Sequence, residues 1–170
     1  LITISDCGYI CEEGQAKLPI LRRMIEIPIG TTPDIFLQDV QWMDTSLDEV
    51  NMPNRVYPTQ PAQCKKEIQN SDYTIDESYY QLDTFQPESI VSIDEIKQIR
   101  GRRFAIIEVT PLQYLPLTGS LRLMQSCDLS ITYSDADIQA TIDLINRYSN
   151  PSYEALFKSI FINYGFFENL

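Results

Sequence analysis

Histidine is absent from this chain of 170 residues, and basic residues are scarce. Without histidine the chain lacks the usual general base near neutral pH, so it cannot build a Ser–His or Cys–His nucleophile or a His-bearing zinc site. The 24 acidic and 13 basic residues give a formal charge of −11. Nucleic acids and anionic membrane surfaces require a positive surface. The composition therefore argues against most enzyme classes and against nucleic acid, and we expect basic or neutral partners.

Long apolar runs and cysteines are also few. No run of about 18 apolar residues is present, so no membrane span is expected, and the sequence after Leu1 lacks the pattern of a signal peptide. Four cysteines allow three pairings: Cys7, Cys11, Cys64 and Cys127. A bridge between Cys7 and Cys11 would suit an oxidising compartment, and four reduced thiols fit equally well. The length suits one domain with its own core, which needs neither a disulfide framework nor a metal.

Alternating apolar and polar residues predict strands in the first two-thirds of the chain. The alternation is clearest at 24–29 and 104–109, and further strands are expected at 35–40, 121–124 and 129–133. Prolines break the intervening sequence into short pieces. The residues expected to face inward are Ile25, Ile27, Ile107, Val109, Leu129 and Ile131. The fold class is therefore expected to be mainly β, with two packed antiparallel sheets.

The C-terminal residues carry the pattern of an amphipathic helix. Asn150 and Pro151 supply an N-cap and a first helical position, and Gly165 supplies a stop. The apolar stripe between them consists of Tyr153, Leu156, Phe157, Ile160, Phe161 and Tyr164. It packs either against the domain's own sheet or against a following domain. We expect a β core at 1–145 and a helix with a domain junction at 146–170.

Residues 51–88 have no sustained period and include four prolines. The segment is interpreted as a long surface excursion, and such loops are often functional, although a disordered insert is the alternative. Acidic pairs such as Asp135 with Asp137 lack the spacing of a calcium loop, so they are interpreted as solvated surface groups. The two carboxylates of a glycoside hydrolase come from distant segments of a chain, and this sequence singles out no such pair. No catalytic residue, metal site or cofactor is predicted.

Five short segments carry a family resemblance. They are GQAKLPILRR at 14–23, IPIG at 27–30, RGRR at 100–103, TPLQYLPLTG at 110–119 and PSYEALFK at 151–158. In this order they resemble the propeptide of the gingipain-like cysteine peptidases, peptidase family C25, and are closer to the lysine-specific type. The similarity runs over most of the chain.

The resemblance implies a non-catalytic, jelly-roll-like antiparallel β-sandwich with a C-terminal helix, secreted to the periplasm or beyond the cell. Its partner would be the cognate catalytic domain of the same precursor, which it holds latent and whose folding it aids. In that family a basic side chain of the long loop enters the specificity pocket of the peptidase. Alignment on Gln60-Pro61 puts Lys65 at the inserting position, with Lys66 as the competitor. Two solvated surface lysines are the alternative.

Two other functions stay open from the sequence. One is a free-standing extracellular β-sandwich that binds carbohydrate or protein, and the other is an enzyme of carboxylate chemistry. The residues beyond Leu170 would discriminate, because only a prodomain is followed by a domain with His and Cys nucleophile signatures.

Overall fold

A computed structural model describes residues 2–53, 55–62 and 73–169. In these ranges the strands are β1 (Gly8–Tyr9), β2 (Pro19–Glu26), β3 (Pro33–Ser46), β4 (Val91–Ile99), β5 (Arg102–Val109), β6 (Leu112–Leu115) and β7 (Ser120–Tyr133). The helices are α1 (Ile138–Tyr148) and α2 (Pro151–Ile160), with 3₁₀ helices at Tyr79–Gln81 and Phe167–Asn169. Over this part of the chain, none of the helices has the length and apolarity required to cross a membrane.

The strands form two sheets, with orders β1-β2-β5-β4 and β3-β7-β6. Strand pairs β1 with β2, β4 with β5, and β6 with β7 are antiparallel. The hairpin between β4 and β5 turns at Arg100 and Gly101, where φ is 45° and 81°. Positive φ at both central residues is typical of the tight turns that match strand twist. The predicted class, mainly β with two antiparallel sheets and a C-terminal helix, is confirmed.

The chain divides into two compact units, and β2, β3 and β7 each contribute residues to both. Unit 1 consists of the described residues of Leu1–Leu21, Val40–Ile90 and Thr110–Ser126. Unit 2 consists of those of Arg22–Asp39, Val91–Val109 and Cys127–Leu170.

The core of unit 2 contains the side chains that the alternation placed inward. Ile25, Ile27 and Ile107 are at most 1% exposed, and Val109 is also buried. The partly buried side chains packed against this cluster include Leu129 and Ile131 of β7. Residues of both sheets therefore meet in one apolar core, as expected for a β-sandwich.

Two elements differ from the sequence expectation. The strands expected at 121–124 and 129–133 are one continuous strand, β7. Helix α1 was not predicted, and its N-cap is Asp137, whose side chain accepts a hydrogen bond from the Ala140 amide at 2.9 Å. This carboxylate, interpreted from sequence as a solvated surface group, thus compensates an amide that helix geometry leaves without a partner.

Helix α2 begins as predicted, because Asn150 accepts a hydrogen bond from the Ser152 amide at 3.0 Å and Pro151 follows. It ends at Ile160, five residues before Gly165. Phe157 and Phe161 are buried and stacked, with ring centroids 5.5 Å apart, and Phe161 also contacts Phe104 of β5. The apolar stripe therefore packs within unit 2, except for Leu156: its assignment to the stripe was wrong, because this side chain is 49% exposed.

We expect Phe157→Ala to lower the free energy of unfolding by about 3–5 kcal/mol, because it leaves a cavity at a site that is 1% exposed. Leu156→Ala is the matched control: this neighbouring side chain is 49% exposed, and its loss should cost less than about 0.5 kcal/mol. Urea or thermal unfolding measures both. Equal midpoints for Phe157→Ala and the parent chain would show that the stripe is not part of the core.

Candidate functional site

The predicted inserting residues, Lys65 and Lys66, lie outside the described residues. Both flanks of their segment are described, and 13 residues separate Gln60 from Thr74 in the sequence. The structure shows how these two flanks are held. We use the term loop stem for residues 56–60 and 73–80 together with residues 14–17, on which they are held.

The side chain of Gln60 joins the two flanks. Its Nε2 donates to the carbonyl of Thr74 at 2.8 Å, and its Oε1 accepts from the Thr74 amide at 3.0 Å. Nε2 also approaches the carbonyl of Pro58 at 3.2 Å. One amide side chain thus forms both hydrogen bonds with the backbone of Thr74 that a neighbouring strand would form. It joins the two flanks at the point where the segment begins and ends. Tyr57 and Tyr73 add an edge-to-face ring contact at 5.8 Å.

The first flank is bound along its backbone. Thr59 accepts from the Gly14 amide at 2.9 Å and donates to the Gln15 carbonyl at 2.8 Å, and Lys17 donates to the Tyr57 carbonyl at 2.9 Å. Bridges join Ala16 to Pro58 and Glu13 to Thr59. Backbone pairing of this kind fixes the direction in which the chain leaves at Gln60.

The second flank depends on Gly14. The Asp76 amide donates to the Gly14 carbonyl at 3.0 Å, and Gly14 has a φ of +81°. A Cβ at this position would lie 2.8 Å from the Asp76 nitrogen, so only glycine fits. The Asp76 carboxylate accepts from the Ser78 hydroxyl at 2.5 Å and from the Tyr79 amide at 3.1 Å. These hydrogen bonds lower the pKa of Asp76.

A buried ion cluster in unit 2 was not found from the sequence. The guanidinium of Arg102 contacts Glu26 through Nη1, and its Nη2 lies 2.7 Å from Glu154 and 2.6 Å from Glu168. The side chains of Arg102 and Glu26 are each 2% exposed. The guanidinium also stacks over the ring of Tyr164, 4.9 Å from its centroid. Strands β5 and β2, helix α2 and the last 3₁₀ helix therefore meet at one cation.

Burial raises the pKa of Glu26, the hydrogen bond from Arg102 opposes this, and the charge of Glu168 adds to the rise. Burial alone would lower the pKa of Arg102, but the hydrogen bonds that it donates to Glu168 and Glu26 raise it. The arginine is thus permanently charged, and its carboxylates compensate it. This carboxylate cluster serves to fix the C-terminal segment.

The structure also describes the cysteines and carboxylates considered in the sequence analysis. Cys11 is an exposed free thiol whose Sγ lies 3.4 Å from the Tyr9 carbonyl, so the small bridge to Cys7 is not formed. Within residues 2–53, 55–62 and 73–169, no group of three or more Cys, Asp or Glu side chains has the arrangement of a metal site.

Comparison with known proteins gives a family match and two curated relatives of interest. The family model described as Propeptide_C25 matches residues 1–161. Lys-gingipain of Porphyromonas gingivalis is 22% identical over 151 residues, which are 88% of this chain and 9% of that protein. Gingipain R2 of the same organism is 25% identical over 162 residues, which are 95% of this chain and 21% of that protein. The chain thus spans only a small part of these relatives.

Two solved structures share the fold. The complex of the Porphyromonas gingivalis RgpB pro- and mature domains gives a TM-score of 0.74 at 20% identity, over 99% of this chain and 79% of that one. The structure concerned with the zymogenic latency of gingipain K from Porphyromonas gingivalis gives 0.64 at 19% identity, over 76% and 71%.

We expect Gln60→Met to speed hydrogen exchange of the Thr74 amide and to lower the free energy of unfolding by about 1–3 kcal/mol, because it removes both ends of the clamp at similar side-chain length. The control is Gln98→Met at an exposed position of β4, which should leave both quantities unchanged. An unaltered Thr74 exchange rate in Gln60→Met would contradict the clamp.

We expect Arg102→Met to lower the free energy of unfolding by about 3–5 kcal/mol at pH 7, because it leaves Glu26 buried without its cation. Folded Glu26 has a raised pKa, so it binds a proton more readily than in the unfolded chain. Its contribution to stability therefore falls as pH rises from its ordinary pKa through the raised one. The loss in the variant should be smaller at about pH 5, where Glu26 can take up a proton.

Chemical unfolding at the two pH values tests this expectation. Arg22→Met is the control, because the Arg22 side chain is 49% exposed in its pair with Glu108 and should contribute less than about 1 kcal/mol at either pH. A loss in Arg102→Met that is equal at the two pH values would refute the assignment to Glu26.

Proposed function

The chain belongs to the Propeptide_C25 family, and we propose that it holds a gingipain-like cysteine peptidase domain latent by binding it as a substrate mimic. Family membership confirms the resemblance drawn from the motifs. The proposed partner is the catalytic domain of the same precursor, joined through residues 146–170. We propose further that the precursor is secreted to the periplasm or outside the cell, and that the prodomain aids folding of the catalytic domain.

The loop stem is the observation that carries this proposal. An inhibitor that mimics a substrate must present an extended segment without losing much conformational entropy on binding. Here Gln60 and the Tyr57–Tyr73 contact close the base of the segment, while Gly14 binds both flanks. A support of this kind reduces the freedom of a loop before it meets its partner.

Lys65 is the proposed anchor within the segment. Prolines at 58 and 61 favour extended backbone just before Cys64-Lys65-Lys66. The lysine ammonium is a compact point charge that suits a deep acidic pocket. In an extended chain, the side chain of Lys66 would point to the opposite side. By this argument the cognate peptidase prefers lysine on the acyl side of the bond that it cleaves.

The relatives support the proposal of a latency-maintaining prodomain. One of the solved structures with this fold is a complex of pro- and mature domains, and the other concerns zymogenic latency. In the curated relatives the matched region is 9% to 21% of a longer protein. These facts are consistent with a prodomain that acts on a catalytic domain of its own precursor.

We expect Lys65→Ala to weaken inhibition of the mature cognate peptidase by about 30-fold to several-thousand-fold, because truncation leaves an acidic pocket residue unpaired. Lys65→Arg should have an intermediate effect, since the guanidinium keeps the charge but not the shape. Lys66→Ala is the matched control and should have a weak effect. Inhibition constants measured with the purified peptidase decide the matter, and equal constants for Lys65→Ala and the parent chain would reject Lys65 as the anchor.

A further inference from the structure

A groove of about 560 Å³ opens beside the loop stem in unit 1. The residues that line it are Lys17, Met52, Pro53, Arg55, Tyr57 and Tyr73. Tyr57 and Tyr73 belong to the two flanks of the loop stem, so the groove adjoins the two points between which the proposed inhibitory segment lies in the sequence.

The two tyrosines give the groove the character of a binding surface. Tyr57 is 53% and Tyr73 is 54% exposed, although large aromatic side chains gain free energy when they are buried. Their mutual contact at 5.8 Å holds both rings in place before a partner arrives. Tyrosine and arginine are enriched among the residues that dominate binding energy in protein interfaces.

The charges of the groove select the kind of partner. Lys17 lies over the ring of Tyr9 at 5.0 Å, and Arg55 lies over the ring of Tyr80 at 5.3 Å. Arg55 is also 3.9 Å from the exposed Glu77, a separation at which a surface pair contributes little. Both cations keep hydrogen-bonding capacity for a carboxylate from outside.

The described residues that line the groove include two cations and no carboxylate. The basic residues of the unit 1 sequence are Lys17, Arg55, Lys65, Lys66 and Arg122. Four of these five either line the groove or lie in the segment that the loop stem supports. In a chain of charge −11, a groove lined by Lys17 and Arg55 with no carboxylate among its described lining residues favours an acidic partner surface.

We propose that this groove is a second contact surface for the mature peptidase domain and receives an acidic patch beside the specificity pocket of that domain. The inference rests on the proposed function and adds a second point of attachment to Lys65. An acidic pocket that accepts a lysine and an acidic rim that meets Lys17 and Arg55 form one surface of the same sign. The tyrosines supply the apolar contact between these charges.

The test measures inhibition of the purified mature peptidase by the 170-residue chain and its variants. We expect the double variant Lys17→Gln with Arg55→Gln to inhibit about tenfold more weakly than the parent chain, because two contacts at the rim are lost. Its inhibition should also depend less steeply on salt concentration than that of the parent chain. Lys65→Ala is measured in parallel.

The matched control is the double variant Lys97→Gln with Arg147→Gln, which removes the same net charge from unit 2. It should inhibit as the parent chain does. The thermal midpoint of every variant is recorded. If the groove variant is unfolded, Arg55→Glu alone gives the test, because the Arg55 side chain is 50% exposed and its surface pair with Glu77 contributes little to stability. The expected result is then a weakening greater than tenfold.

The outcomes separate the inference from the proposed function. If the parent chain inhibits, Lys65→Ala is weakened, and the folded groove variant matches the control, then the groove is not a contact and the inference is wrong while the function stands. If the parent chain does not inhibit the peptidase, both are wrong. Weakening and a shallower salt dependence confined to the groove variants support the inference.

Discussion

The buried guanidinium of Arg102 determines how unit 2 is assembled. A cation that is removed from water requires compensation by charge and hydrogen bonds, so Glu26, Glu154 and Glu168 must all reach it. Asn163 adds two hydrogen bonds to the backbone of Glu26, at 2.7 and 2.9 Å. The chain that follows α2 is consequently fixed to β2. Residues 161–169 thus belong to the folded unit.

Unit 1 relies on a different kind of interaction. The loop stem is held by neutral hydrogen bonds between backbone groups and the amide of Gln60, each with a modest net contribution of about 0.5–1.5 kcal/mol. Neutral hydrogen bonds respond weakly to salt, whereas the proposed contacts of Lys17 and Arg55 with a charged partner would be screened by it. The support of the loop and its binding to a partner are therefore separable in solution by ionic strength.

The alternation of apolar and polar residues predicted those strands that bury one face and expose the other. It found Ile25, Ile27 and Ile107, but it divided β7, because Gln125 and Ser126 are both exposed and no burial imposes alternation there. Helix α1 was missed although signals were present: an N-cap at Asp137, and apolar residues at Ile138, Ile142 and Ile145. The spacing i, i+4, i+7 after a capping residue is typical of a helix.

The ion cluster around Arg102 could not be predicted from the sequence, because its contacts join segments that are distant in the chain. Arg102 pairs with residues 52 to 76 positions away, and nothing in the run RGRR distinguishes the buried arginine from its exposed neighbour Arg100. The expectation of basic or neutral partners, drawn from the net charge, stays a prediction, and the proposed groove contact favours an acidic surface instead. Screening limits an exposed charge to about 8 Å at physiological salt, so the local cations at a contact outweigh a distant acidic surface. In the proposed contact, the local cations Lys17 and Arg55 therefore determine the charge of the surface that the groove meets, and the net charge of the chain does not.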